Sequence, residues 1–273
     1  MGLGLLIAIT QIFLAQFMLT KSREVLFGIF MDNSVYITLS RQLTLFSDRD
    51  VTANNVANAN TTGYSSEHLL FNSYLTKDVN QKDRNPMAFA FDISSYHNLE
   101  NGAFKTTGNP LDMAIAGDGF FSVETPLGTR YTRAGNFQLD GNGTLVTAEG
   151  YPVLDESGQH ITFTSETRDI LVGEAGNISV NGEAFVKLGI YKFENPQLLE
   201  RLDSAMFKSE ITPDVATDSR VVQGALAGSN VKPVMELTHM IDVSRSVSNT
   251  AKMIETLYDL QRKASNTCAQ QSS

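Results

Sequence analysis

The segment MAIAGDGFFSVETPLGTRYTRAGNFQLDGNGTLV, residues 113–146, decides the fold class. Met113-Ala114-Ile115-Ala116 is a short apolar run, Gly117-Asp118-Gly119 a turn, and Phe120-Phe121-Ser122-Val123 a second run. Tyr131 to Gly135 and then Asn136-Phe137-Gln138-Leu139 lead into Asp140-Gly141-Asn142-Gly143, after which Thr144-Leu145-Val146 resumes. Asp-Gly and Asn-Gly provide the positive φ that hairpin turns demand, so Gly117, Gly119, Gly141 and Gly143 are predicted turn residues.

Outward from this segment the same texture continues. Ile161 to Phe163, Ile170 to Val172, Ile178 to Val180 and Phe185 to Phe193 are further strand candidates. An all-β core of about 100 residues fits their spacing. Glycine marks its limits, since 14 of the 20 Gly lie between Gly102 and Gly189. Ile29 to Thr62 and Ser229 to Ser273 contain none, which suits helices, because interior Gly costs about 1 kcal/mol relative to Ala.

Both Gly-free flanks carry an apolar stripe. In the first, Val35, Leu39, Leu43 and Phe46 recur at spacings of four, four and three. This helix should weaken at Asn58-Ala59-Asn60-Thr61-Thr62-Gly63, where side chains compete for backbone hydrogen bonds and Gly tolerates positive φ. In the second, Pro233 suits a first helical turn; Met240, Val247 and Ile254 then recur every seven residues, with Val243, Thr250 and Leu257 three further on. Such a heptad seam fits either an ordinary amphipathic helix packed on its own domain or a paired helix. With two unpartnered stripes in one chain, the economical expectation is that the ends pair with each other or with neighbouring subunits.

Composition excludes several classes. The chain has 273 residues, 42% hydrophobic, with 30 acids against 21 bases and a net charge of −9. That is enough apolar material for a core, and the wrong sign for neutralising phosphates, so no nucleic-acid partner is expected. Cys268 is the only cysteine, so no intrachain disulfide or four-Cys zinc site exists. His68, His97, His160 and His239 form no HxxxH or HExxH pair. No GxSxG elbow, phosphate loop or dinucleotide fingerprint follows a predicted strand, and Gly117-Asp118-Gly119 lacks the following helix that would hold an anion. No catalytic residue, metal, cofactor or small-molecule substrate is predicted, and the chain is not expected to be an enzyme.

Residues 1–20 are uncharged and about long enough for a membrane span, but the bases Lys21 and Arg23 follow the apolar run instead of preceding it. Gln11, Gln16 and Thr10 dilute it further. A second Met, Met31, opens a segment of different character, so residues 1–30 are expected to be an extra segment ahead of the working start.

VTANNVANANTTGY at 51–64 resembles the ANN-x-AN-x-x-T-x-G-[FY] signature of flagellar rod and hook proteins, with Asn54, Asn55, Ala57, Asn58, Thr61, Gly63 and Tyr64 on its positions. Residues 107–154, with GNPLDMAIAGDGFF and YTRAGNF, look like the core of the same family, and QGALAGSNVKPVMELTHMIDVSR at 223–245 is similar to its C-terminal block. The sequence departs from the family at Ala227, where Glu is usual, and at Ala59-Asn60, where Val-Ser is commoner. The wording and the length from Met31 look most like the family's proximal rod members, with the distal rod members as the alternative.

The resemblance implies a structural subunit of the bacterial flagellar basal body, in the rod within the periplasmic space, partnered by other rod subunits and by itself. It also implies passage, unfolded, through the flagellar type III export apparatus. The implied fold is a mainly β core flanked by N- and C-terminal α-helices that pair as a coiled coil in the assembled rod. Its divisions are a rod helix at 31–63, an extended linker at 64–106, the Gly-rich β domain at 107–222, and a C-terminal rod helix with a polar tail at 223–273. Val35, Leu39, Leu43, Asn54, Asn55 and Asn58 are the implied assembly residues of the first helix, and Met240, Val243, Val247, Ile254 and Leu257 those of the last. A rival of another class is a membrane-anchored periplasmic β protein that uses residues 3–19 as its span.

Overall fold

Phe120 and Phe121 are neighbours in sequence and belong to different cores, and the architecture of the β region follows from that alternation. The computed structural model describes residues 34–76, 87–164, 169–203 and 205–271; residues 1–30, Met31 and the side chain of Cys268 lie outside the described residues. A helix α1 covers 34–57. Strands follow as β1 (Glu67–Thr76), β2 (Met87–His97), β3 (Phe104–Thr106), β4 (Met113–Ala116), β5 (Phe120–Thr125), β6 (Gly128–Thr132), β7 (Gln138–Leu139), β8 (Leu145–Val146), β9 (Ile170–Val172), β10 (Asn177–Val180), β11 (Glu183–Lys187), β12 (Ile190–Lys192), β13 (Glu200–Asp203), β14 (Met206–Lys208), β15 (Asp214–Val215), β16 (Arg220–Gln223) and β17 (Ala225–Ala227). The helix α2, Pro233–Gln271, ends the described chain. The chain is mainly β with a helix towards each end. Among the described residues, no helix is long and apolar enough to cross a membrane.

The chain divides into two compact units, one of them made of Asp50–Leu69 with Ser95–Met240. Its largest sheet is antiparallel in the order β13-β14-β6-β5-β12-β15. Phe121 and Val123 face one core with Met113, Phe137, Leu145, Val153, Ile178 and Leu188. Phe120 faces another with Tyr131, Phe193, Leu199 and Phe207, whose rings meet edge to face. Because β5 is covered on both faces, its first four residues, Phe120 to Val123, are all buried, Ser122 included.

The run-turn-run at 113–123 is not a hairpin. β4 pairs with β16, Met113 opposite Gln223, while β5 lies between β6 and β12. Gly117, at φ +112, and Gly119 therefore carry the chain from one sheet to another. Asp140 to Gly143 does close a hairpin, between β7 and β8. Asp140 Oδ1 accepts the N–H groups of Asn142 and Thr144 at 2.9 and 2.7 Å, and these bonds hold its carboxyl below the ordinary carboxylate range. Ile161 to Phe163 joins by isolated bridging instead of forming a regular strand, and Phe185 to Phe193 splits into β11 and β12. β3 pairs with β17 and draws in residues on either side of 107–222; the stretch 64–106 carries β1, β2 and β3.

The other unit gathers α1 up to Arg49, Leu70–Ser94 of the β1–β2 pair, and α2 from Ile241. In α2, Val243 and Thr250 are buried, and Val247, Ile254 and Leu257 half-buried, along one stripe with a seven-residue repeat. In α1 up to Arg49 the buried positions are Thr38 and Thr44, whose hydroxyls donate to the carbonyls of Ser34 and Ser40 four residues back at 2.6 and 3.0 Å. A threonine satisfied in this way buries its methyl at little polar cost. Leu39 and Leu43 are instead 45% and 59% exposed.

Candidate assembly junction

The signature at 51–64 makes a helix end and a chain reversal. The Asn58 carboxamide donates to the Asn54 carbonyl at 3.0 Å and to Asn54 Oδ1 at 2.9 Å, and its own Oδ1 accepts the Thr61 hydroxyl at 3.0 Å. The Asn54 carbonyl also accepts the Asn58 backbone N–H at 3.1 Å, so these side-chain bonds reinforce the last turn of α1. Gly63 then turns at φ +67 and donates to the Ala227 carbonyl at 2.8 Å. A Cβ there would sit 2.3 Å from the Ala134 nitrogen, so both conformation and contact require glycine.

Asn55 is the centre of the junction and is 1% exposed. Its Oδ1 accepts the Glu67 N–H at 3.0 Å and the Tyr64 hydroxyl at 3.1 Å; its Nδ2 donates to the Glu67 carbonyl at 2.8 Å and to a Glu236 carboxylate oxygen at 3.3 Å. All four hydrogen-bonding positions of the amide are used. The last turns of α1, the start of β1 and the first turn of α2 are thereby tied to one side chain.

Three more carboxamides repeat the device. Gln197 accepts from the His97 N–H at 3.0 Å and donates to the His97 carbonyl at 2.9 Å. Asn230 accepts from the Ser66 N–H at 2.7 Å and donates to the Asn98 and Glu100 carbonyls. Gln223 accepts from Val172 N–H and donates to the carbonyls of Ile170 and Pro110. Each replaces a missing strand neighbour, because a primary amide presents the same donor and acceptor as a peptide group.

Aromatic stacking anchors the reversal. The Arg201 guanidinium lies 4.5 Å from the centre of the buried Tyr64 ring and 5.4 Å from that of Phe207, and donates to the Ser65 carbonyl. Burial pushes the Tyr64 phenol above its ordinary range, against the opposing pull of Arg201. Burial first, and then the charge of Arg201, hold the His97 imidazole below its usual value. Arg133 stacks 4.8 Å over Phe120 and binds the Leu99 carbonyl and Asn101 Oδ1. A polar groove of about 510 Å³ runs past Asn54, Glu67, Ser95, His97, Gln197 and Arg201. Among the described residues, no three His, Cys, Asp or Glu side chains gather to hold a metal ion.

The predicted assembly residues separate into different environments. Asn55 is buried in the junction, while Asn54 is exposed and bonded to Asn58. Val35 and Met240 are half-buried. Gly143 takes φ +81 against the Phe163 carbonyl, a Cβ on Gly119 would lie within 3.1 Å of Ile115, Ser219 and Ile190, and one on Gly141 would meet nothing within 4 Å. Asn230, Gln197, Gln223 and Arg201 were not singled out from the sequence. Asn230 and Gln223 stand in the 223–245 block, where attention to the apolar stripe passes over them.

Comparison with known proteins agrees with this geometry. Residues 114–180 match the flagellar hook protein FlgE/F/G D1 domain, 222–267 the flagellar basal body rod FlgEFG protein C-terminal region, and 49–64 the flagella basal body rod protein family. The flagellar basal-body rod protein FlgF of Caulobacter vibrioides is 36% identical over 237 residues, 86% of this chain and 97% of that protein. FlgF of Mesorhizobium japonicum is 35% identical over 82% of this chain and 92% of its own. The rod protein FlgG of Bacillus subtilis is 30% identical over 86% of this chain and 99% of its own. With three matched blocks and near full-length similarity to rod subunits, the chain belongs to the flagellar basal-body rod protein family and is FlgF-like within it.

Proposed function

We propose that this structural subunit of the basal-body rod polymerises through its terminal helices, using two faces of α1 for different purposes. The inward face, with Thr38 and Thr44, is covered within the chain; the outward face, with Tyr36, Leu39 and Leu43, is covered by neighbouring subunits in the rod. The observation that carries this reading is the exposure of Leu39 and Leu43 while the threonines beside them are buried. An apolar stripe left in water makes a helix marginal, so ordering of the ends and joining of the polymer become one step. The β domain, 107–222, lies outward of the coiled helices in this scheme. Coupling assembly to helix ordering keeps subunits apart before they pass, unfolded, through the flagellar type III export apparatus, and a chain with one cysteine meets no intrachain disulfide on the way. The FlgF-like, proximal assignment is supported by 36% identity to a FlgF against 30% to a FlgG.

The test replaces Leu39 and Leu43 by Asp in cells lacking the native gene. The β region should keep its melting transition in the purified protein, while isolated basal bodies lack the subunit and the cells do not swim. Wild-type swimming would overturn the outward role of this face.

A further inference from the structure

Arg133 is only 5% exposed, yet among the described residues its hydrogen bonds all run through one nitrogen. Nη1 donates to the Leu99 carbonyl and to Asn101 Oδ1, while Nε has no acceptor. Asp118 Oδ1 lies 4.0 Å from Nη2, outside hydrogen-bond reach, on a side chain that is 78% exposed. Nε and Nη2 form the side-on fork of a guanidinium, two parallel N–H groups at the spacing of a carboxylate. A buried cation with its fork unpaired is costly. Burial accordingly lowers the proton affinity of Arg133, against the opposing pull of Asp118.

Arg133 follows β6 and lines a cavity of about 210 Å³. Phe120 forms part of the wall and fixes the plane of the guanidinium, which sits 4.8 Å from its ring centre. Leu99, Phe193 and Pro196 make the wall apolar elsewhere, and Lys192 of β12 adds a second, half-buried cation. The carboxylates on the lining, Asp118 and Glu194, are both exposed. An acidic side chain suits this place in charge, shape and size. The fork takes its two oxygens, Lys192 adds attraction, and the apolar wall takes its methylenes. At about 30 Å³ for each water-sized group, there is room for a glutamate side chain.

We propose that the Arg133 cavity is a docking site for an acidic side chain of a second copy of this chain. Charge selects the occupant. With 30 acids against 21 bases, and carboxylates such as Glu149 and Glu183 exposed, copies brought together repel one another unless carboxylates meet cations. This contact rests on the polymerising role proposed above and uses none of the terminal-helix residues.

The test follows the Arg133 Nε–H resonance in the full-length chain, isotope-labelled at arginine and held at constant ionic strength. The resonance is identified by its nuclear Overhauser contacts to the Phe120 ring and by its loss in Arg133→Lys. Valerate, a carboxylate on a short alkyl stem, should shift it downfield and saturate in the millimolar range. Valeramide should bind about tenfold more weakly. Asp118→Asn removes a competing carboxylate and should tighten valerate about threefold, whereas Lys192→Gln should weaken it about threefold. An Arg133 with a purely structural role would give neither change. Without valerate, raising the chain concentration should move the resonance towards its valerate-bound position, in the Leu39→Asp/Leu43→Asp chain as well as in the wild type. No saturable shift with valerate, equal binding of valeramide, or unchanged affinity in both variants overturns the carboxylate site. A resonance that stays in place with chain concentration, or moves only when Leu39 and Leu43 are intact, overturns the second copy as its occupant, whatever the helix-face variants do to swimming.

Discussion

Asn55 in α1 and Glu67 in β1 exchange two hydrogen bonds, at 3.0 and 2.8 Å, as two residues of paired strands would. Asn55→Ala leaves the Glu67 peptide and the Tyr64 hydroxyl without partners in a buried site. A loss of about 2–4 kcal/mol is expected, read as a lower denaturant midpoint at constant slope. Asn55→Asp should cost more than Ala at neutral pH, since it sets a buried carboxylate beside Glu236, and should recover part of that cost in acid. Equal midpoints for Asn55→Ala and wild type would show that the amide does not hold the junction.

The two glycines of the β7–β8 turn should respond differently to alanine. Gly143→Ala meets both a left-handed φ of +81 and the Phe163 carbonyl, so a loss above about 2 kcal/mol is expected. Gly141→Ala, with open space around it, should stay within about 0.5 kcal/mol. Gly117→Val and Gly119→Val should both lower the melting temperature of the β region. Similar melting shifts for Gly141→Ala and Gly143→Ala would contradict the assigned turn geometry.

His97 gives the fold a pH dependence of defined sign. Its imidazole is held below the ordinary value of 6.5, so as pH falls through that value the unfolded chain takes up a proton that the folded chain refuses. Stability should therefore fall on going from pH 7.5 towards 5.5. His97→Gln removes the titrating ring, and chemical denaturation across this range should show a flatter profile for the variant. Parallel profiles would exclude His97 as the source.

On α2, Val247→Asp and Ile254→Asp place a charge on the half-buried seven-residue stripe. The β region should keep its melting transition while the subunit is missing from purified basal bodies. Swimming by both mutants at the wild-type rate would remove this stripe from the assembly surface.

Local chemistry was the legible part of the sequence. Asp140 to Gly143 announces a hairpin because its residues bond to one another, and Pro233 marks the first turn of α2 because proline tolerates that position. Partner choice was not legible. Met113 to Ala116 is apolar throughout, and nothing in it indicates that the neighbour is β16, a hundred residues on. In α1 the leucine stripe is the more apolar, yet the chain buries Thr38 and Thr44, whose hydroxyls are satisfied by their own helix, a choice that apolar periodicity does not signal. Gln197, Gln223 and Asn230 escaped notice because a carboxamide that replaces a strand has no periodic signature.

Those carboxamides also bear on what the subunit avoids. Exposed peptide edges invite indiscriminate strand pairing and fibrous aggregation, a hazard for any protein made in many copies and concentrated at one place. At Glu67 and His97 the peptide groups are already occupied by Asn55 and Gln197, so a stray strand finds no template there. Ordered growth is thus favoured over disordered stacking by side chains that bond within their own chain.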